Sequence, residues 1–276
     1  MKFKYLGTAA AEGIPAIYCT CKVCRNAREL GKRELRSRSQ ALVDDELLLD
    51  FPCDTYWHVI TYGIDLTKIK HILITHSHDD HFYPLDMNYI RKGFAHLPED
   101  FEPVTVYGNQ EVGAKLPLDE NNFMNPDRRI RFAPVKPFEA LQAGSFLITP
   151  LPACHGTKDP MIYLLQKGGK SILYAHDTGK IFPEVIRFLK EKGVVLNLIS
   201  LDCTEADKTI NYNSHMNLER NIVCRNEMQD AGIVSENTVC VLNHFSHNGG
   251  RLYRDFVKIA AKEGFLVSYD GLEICL

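Results

Sequence analysis

The chain has 276 residues, 45% of them hydrophobic, 24% charged and 10% aromatic, with a formal net charge of -3. This is the balance of a folded globular protein, which excludes disordered and fibrous chains; it lacks the basic excess of a phosphate-backbone binder and any apolar run of membrane-spanning length. The start Met1-Lys2-Phe3-Lys4 is too charged for a signal-peptide apolar region, so a cytoplasmic location is expected, and nine cysteines, an odd number, read as reduced thiols or metal ligands and not as a disulfide framework.

In chain order, apolar alternation or short apolar runs predict strands near 2–6, 40–43, 46–50, 69–75, 103–107, 130–135, 145–151, 161–166, 171–175, 196–201, 238–242 and 265–268. Asp44-Asp45 and Gly168-Gly169 fall between strand-like runs and predict antiparallel hairpins, because these residues tolerate positive φ. Helical periodicity follows His81 and recurs at 183–192, 218–231 and 250–263. Strand-rich runs with a few amphipathic helices predict an α+β fold with helices on the outer faces of one or two sheets. No repeat, low-complexity tract or linker divides the sequence, so one domain over 1–276 is expected, with a polar surface insertion around 116–129.

The buried-strand pattern His71-Ile72-Leu73-Ile74-Thr75 leads directly into His76-Ser77-His78-Asp79-Asp80-His81. Imidazoles two apart on an extended segment can turn to one metal, while Asp80 and His81, expected to start the next helix, can face a second. His155, Asp177 and His244 each follow a strand-like run, where they can converge on one rim of a sheet sandwich. His58, His71, His96 and His176 lack such context and read as structural or surface residues, as do Cys53, Cys154, Cys203, Cys224, Cys240 and Cys275 as core or helix-face residues.

From Gly7-Thr8 to His244 this set resembles the metallo-β-lactamase superfamily. The resemblance implies an αββα sandwich, with His76, His78 and His155 on one metal, Asp80, His81 and His244 on the other, and Asp177 between them. It also implies that Asp50, ending Leu47-Leu48-Leu49, supports a ligand from behind, although Phe51-Pro52 stands where the family has a small residue and glycine. Asn213-Ser214-His215-Met216-Asn217 resembles the His-x-Asn segment with which phosphodiesterases of the superfamily, tRNase Z among them, protonate a leaving oxygen. His215 is then the candidate general acid, beside Asp80 as ligand and catalytic carboxylate; the structural alternative is a helix-flanking histidine with Asn217 as the cap.

Cys19-Thr20-Cys21-Lys22-Val23-Cys24 supplies three thiols, one short of a closed tetrahedral zinc site, and His247, three residues past His244, is the best fourth ligand. Within the superfamily this combination looks most like the cyclic-phosphate phosphodiesterases of the carbon-phosphorus lyase pathway. A similar knuckle in the member of pyrroloquinoline-quinone biosynthesis keeps it from fixing one substrate. Three buried reduced thiols are the plainer alternative.

The expected activity is thus hydrolysis of a small, cyclic phosphodiester by a hydroxide shared between two divalent metals (Zn, Mn or Fe), with one structural Zn at the knuckle. A tRNase Z-like nuclease and a thioester or lactam hydrolase are the alternatives. The resemblance also implies a homodimer; nothing suggests a membrane, and the near-neutral charge counts against nucleic acid.

Overall fold

Phe3 and Tyr5 of the first strand are buried on the face opposite Lys2 and Lys4, whereas most of the later strands are buried on both faces. The computed structural model describes residues 1–116 and 128–276, so the expected insertion at 116–129 falls, but for its ends, outside the described residues. Six strands open the chain: β1 (Lys2–Gly7), β2 (Gln40–Val43), β3 (Leu47–Leu49), β4 (His71–Leu73), β5 (Val104–Gly108) and β6 (Ile130–Pro134). Seven more build a second sheet: β7 (Leu141–Ala143), β8 (Phe146–Pro152), β9 (Met161–Lys167), β10 (Lys170–Ala175), β11 (Leu198–Asp202), β12 (Val239–Asn243) and β13 (Leu266–Val267). The last strand, β14 (Glu273–Cys275), returns to the edge of the first, giving the orders β14-β1-β2-β3-β4-β5-β6 and β13-β12-β11-β10-β9-β8-β7.

Both sheets are mixed. β3 to β6 run parallel, as do β10 to β13, and the remaining neighbours are antiparallel. Between the sheets lie Phe3, Tyr5, Leu47, Phe146, Tyr163, Tyr174 and Val241, which form one core. The alternate residues of the second sheet, such as Leu164, Leu173 and Leu201, pack against α1 (Lys22–Leu30), α4 (Pro183–Glu191), α5 (Leu218–Asp230) and α6 (Tyr253–Lys262). Leu42, Leu48, Ile72 and Val106 do the same on the outside of the first sheet, beneath Phe82, Met87 and Val112. Strands buried on both faces read as continuous apolar runs, which is why they were legible. The result is the αββα sandwich.

The hairpins form as expected: Asp44 and Asp45 have φ of 52° and 56°, and Gly168 and Gly169 have 56° and 74°. The helix expected directly after His81 does not; Pro84–Ile90 is a 3-10 helix, and Asp79 to Tyr83 stay irregular. Buried Phe82 and His81 and half-buried Asp80 hold that segment inward, against the core and the site, where a regular helix would turn one of them out. Three helices were not expected. α2 (Thr55–Tyr62) is rich in β-branched and aromatic residues, which favour strands, and α1 and α3 (Gln110–Lys115) are short. The edge strands β7 and β14 have three residues each, too few to show a period. Cys275, expected in a core or on a helix face, is exposed on β14. No helix among the described residues is long and apolar enough to cross a membrane.

Candidate active site

Six side chains leave the carboxyl ends of strands on one rim of the sandwich. Asp50 follows β3, His76 follows β4, His155 follows β8, Asp177 follows β10, Asp202 ends β11 and His244 follows β12. Strand ends of this polarity are where open sheets place ligands. Asp50, Asp177 and His244 carry φ of 64°, 50° and 64°, a left-handed turn that costs non-glycine residues about 1–3 kcal/mol each and is kept only where surrounding contacts fix it. Asp50 is held by Thr75, whose amide and hydroxyl donate to Oδ1 at 2.8 and 2.9 Å, while Gln40 Nε2 donates to its carbonyl at 3.0 Å. Phe51 pairs with Phe82 across this turn, so the bulky residue after Asp50 is absorbed into the core.

The convergence is close. His76 Nε2 stands 3.0 Å from His78 Nδ1, and His155 Nε2 stands 3.3 Å from the same atom. His81 Nε2 lies 3.2 Å from His244 Nε2, 3.4 Å from Asp80 Oδ2 and 2.6 Å from Asp177 Oδ2. Asp177 Oδ2 is also 3.5 Å from His76 Nε2 and 3.4 Å from His244 Nε2, which puts this carboxylate between the two groups. His76, His78 and His155 form one set able to hold a cation; Asp80, His81, Asp177 and His244 form a second. Behind the second set, Asp50 Oδ2 receives His81 Nδ1 at 2.8 Å.

The electrostatics fit metal ions. Burial, with His81 or His155 nearby, lowers the affinity of His76 and His78 for protons; burial does the same for His244, so their lone pairs stay free to bind a metal. Burial opposes charge on His81, yet Asp177, Asp50 and Asp80 hold its proton affinity well above that of an ordinary imidazole. Burial opposes ionisation of Asp177 as well, and His244 and His81 overcome it. Three carboxylates thus crowd one rim, and the buried Asp177 Oδ1 accepts no hydrogen bond. Imidazole nitrogens facing one another around a buried carboxylate leave space for a cation that accepts their lone pairs.

His215 stands over this rim. Its Nδ1 lies 2.9 Å from Asp202 Oδ2, 3.1 Å from Thr204 Oγ1 and 3.3 Å from Asp177 Oδ1, which leaves Nε2 for the cleft. Burial disfavours its charge, but Asp202, by charge and hydrogen bond, raises its pKa to about 9. Asn217 also caps α5, its Oδ1 accepting from Arg220 N at 2.9 Å, so the capping alternative and the site position coexist. Asp202 and Thr204 were not singled out from sequence. Asp202 accepts from the Thr204 amide, the Thr204 hydroxyl and the Met216 amide, while Thr204 Oγ1 reaches His244 Nδ1 at 2.9 Å. A carboxylate ending the buried strand between those that lead to Asp177 and His244 was the available signal.

Gly179 lets the His215 loop approach. A Cβ there would overlap the Asn213 carbonyl. Gly179→Ala is therefore expected to lower kcat about tenfold or more by displacing His215, since small misplacements of catalytic groups are costly. Metal content should be unchanged, and steady-state kinetics beside metal analysis checks both. The rim opens into a cleft of about 300 Å³ lined by His78, Asp80, His155, Asp177, His215 and His244, with Glu12, Glu205, Tyr212 and Asn248 farther out.

Cys19, Cys21, Cys24 and His247 cluster as a separate set. His247 Nδ1 is 3.6 Å from both Cys19 Sγ and Cys21 Sγ. A tetrahedral zinc about 2.3 Å from sulfur and about 2.0–2.1 Å from nitrogen would separate such atoms by about 3.6 Å. Each sulfur accepts a backbone N–H: Cys21 N to Cys19, Cys24 N to Cys21 and Ala16 N to Cys24, at 3.3 to 3.4 Å. What burial Cys21 has opposes thiolate formation, but these donors and its neighbours bring it down to about 6. Three of the four histidines set aside have partners: His58 contacts Gln40 and Ser37, His71 contacts Tyr107, and His176 contacts Ser200 and Asn243.

A family model described as the beta-lactamase superfamily domain matches residues 56–235. The chain belongs to the beta-lactamase superfamily. Among solved structures, this superfamily member is similar to a new diphosphatase from the PhnP family (TM-score 0.77, 21% identity, covering 100% of this chain and 97% of that one). Zinc-bound PqqB from Methylobacterium extorquens has TM-score 0.77 at 18% identity over 100% of both chains, and the short form of human tRNase Z has 0.64 at 15% over 100% and 99%. These likenesses show the fold. An octanoyltransferase from Porphyromonas gingivalis is 25% identical over 99% of this chain and 51% of its own length. The superfamily chain thus spans about half the length of that curated relative.

Proposed function

We propose that the protein is a metal-dependent hydrolase of small phosphodiesters. The observation that carries this is the His215 arrangement, an imidazole pinned through Nδ1 by Asp202 and aimed with its other nitrogen into a cleft floored by the candidate metal ligands. His76, His78 and His155 would hold one divalent cation and Asp80, His81 and His244 another, with Asp177 shared and Asp50 orienting His81. Such a pair supplies Lewis acidity and lowers the pKa of water to about 7. His215 holds a proton on Nε2 and delivers it to the departing alcohol oxygen as the P–O bond breaks; Asp202 steadies the imidazolium beforehand. Zinc or manganese at the rim and zinc at the knuckle suit these donors.

His215→Ala tests this. On dialkyl phosphodiesters kcat is expected to fall about 10²- to 10⁴-fold, the usual range for general acid catalysis. On bis(p-nitrophenyl) phosphate the loss should be much smaller, because p-nitrophenolate departs without a proton. Equal losses on both substrates would show that His215 is no general acid. A second reading, acyl thioester hydrolysis, is favoured by the similarity to the octanoyltransferase. Thiolates also leave unprotonated, so thioester turnover that survives His215→Ala and exceeds phosphodiester turnover would select it.

A further inference from the structure

The residues that α2 buries, Thr55 and His58, are both polar. An outer helix ordinarily covers its sheet with an apolar stripe, so a polar buried pair needs another cause. Both bond one side chain, that of Gln40 at the start of β2, which is itself buried. His58 Nδ1 lies 2.6 Å from Gln40 Oε1, while Gln40 Nε2 donates to Thr55 Oγ1 at 2.9 Å and to the Asp50 carbonyl at 3.0 Å. The direction of each bond follows. Thr55 gives its own hydroxyl hydrogen to the Pro52 carbonyl at 2.7 Å, and turning the Gln40 amide over would set its oxygen against the Asp50 carbonyl. Oε1 therefore faces His58, and Nδ1 of His58 is the donor. On the far side of the ring, Ser37 Oγ stands 2.7 Å from Nε2 and 2.6 Å from Asp270 Oδ2.

We propose that Gln40 and His58 are positioning residues for the candidate metal centre: the Nδ1–H of His58 orients the Gln40 amide, and that amide holds the Asp50 turn which supports both ligand sets. The assignment rests on the metal-dependent reading above. Asp50 has φ of 64°, a conformation that a non-glycine residue keeps only where contacts fix it. Its two carboxylate oxygens serve different sets. Oδ1 accepts from the amide of Thr75, the residue before His76, and Oδ2 receives His81 Nδ1 at 2.8 Å. A rotation of the Asp50 backbone would move both oxygens at once, one behind each set. His58 stands three contacts from His81, through Gln40 and Asp50, and acts by holding geometry.

The test loads Co²⁺ at the rim with zinc kept at the knuckle, and reads the visible absorption, which follows ligand geometry, beside the affinity from chelator competition. His58→Leu removes the Nδ1 donor, and rim affinity should fall about tenfold with a shifted spectrum, since partners behind metal ligands typically matter 10- to 100-fold. Gln40→Met, similar in length but without the amide, should lose about as much. His58→Asn can set an amide N–H where Nδ1 stands, so it should recover most of the affinity and the wild-type spectrum. Knuckle zinc should be retained throughout, and thermal unfolding shows which variants fold. Folded His58→Leu and Gln40→Met proteins with wild-type cobalt affinity and spectrum would overturn the positioning role, and so would His58→Asn behaving no better than His58→Leu. Should His58→Leu fail to fold, His58→Asn against Gln40→Met decides by the same measure. A wild type that binds no cobalt at the rim would overturn this role together with the metal centre. No phosphodiester enters these readouts, so the positioning role stands or falls apart from the substrate class.

Discussion

Asp177→Asn is expected to lower phosphodiester turnover by about three orders of magnitude or more, with the protein still folded. The carboxylate touches imidazoles of both candidate ligand sets, His76 at 3.5 Å on one side and His81 and His244 at 2.6 and 3.4 Å on the other. Asparagine keeps its volume but offers a neutral, weaker ligand, so two cations at the rim would repel each other without a shared negative charge. In the metal-free protein the same change removes a carboxylate that His244 and His81 hold ionised, with His81 Nε2 at 2.6 Å, so its unfolding temperature at neutral pH should fall. Metal analysis should find the knuckle zinc retained and the rim metals reduced. Retention of both rim metals with near-wild-type kcat/KM would remove Asp177 from the bridging role.

Cys21→Ser should act on folding first and on activity second. Cys21 lies within 3.6 Å of His247 Nδ1, and its sulfur accepts the Cys24 amide at the start of α1, which buries Val23, Cys24 and Ala27 against the second sheet. A structural zinc contributes about 10–16 kcal/mol of apparent binding free energy, and losing one ligand forfeits several of these. At about 2–4 °C per kcal/mol for chains of this size, Tm should fall on the order of 10 °C. His247 is three residues from His244, so rim metals should also bind more weakly. Zinc stoichiometry and calorimetry check the point; an unchanged Tm with one zinc fewer would mean that the knuckle does not staple this loop.

Much of the candidate site could be read along the chain because its candidate ligands punctuate buried strands. His76, His78, Asp80 and His81 follow an apolar run within six residues, and His155, Asp177 and His244 each stand just past a strand whose apolar pattern is continuous. The packing brings all seven together. Asp202 escaped notice because it sits inside the strand pattern, in Leu198–Asp202, and only the parallel pairing of β10, β11 and β12 aligns its end with Asp177 and His244. Apolar periodicity records which face of a strand is buried, but not where a helix yields to inward-facing polar groups, as between Asp79 and Tyr83.

By itself, the sequence determined the layered α+β character, the hairpins at Asp44-Asp45 and Gly168-Gly169, the family resemblance and the candidate ligands, since burial period, turn chemistry and donor type are local properties. Tertiary structure alone decided that His247 reaches Cys19 and Cys21 across more than two hundred residues, that Asp202 pins Nδ1 of His215, and that Gly179 admits the loop bearing it. Those are distances between segments remote in the chain, fixed by how two sheets and their helices share one interior.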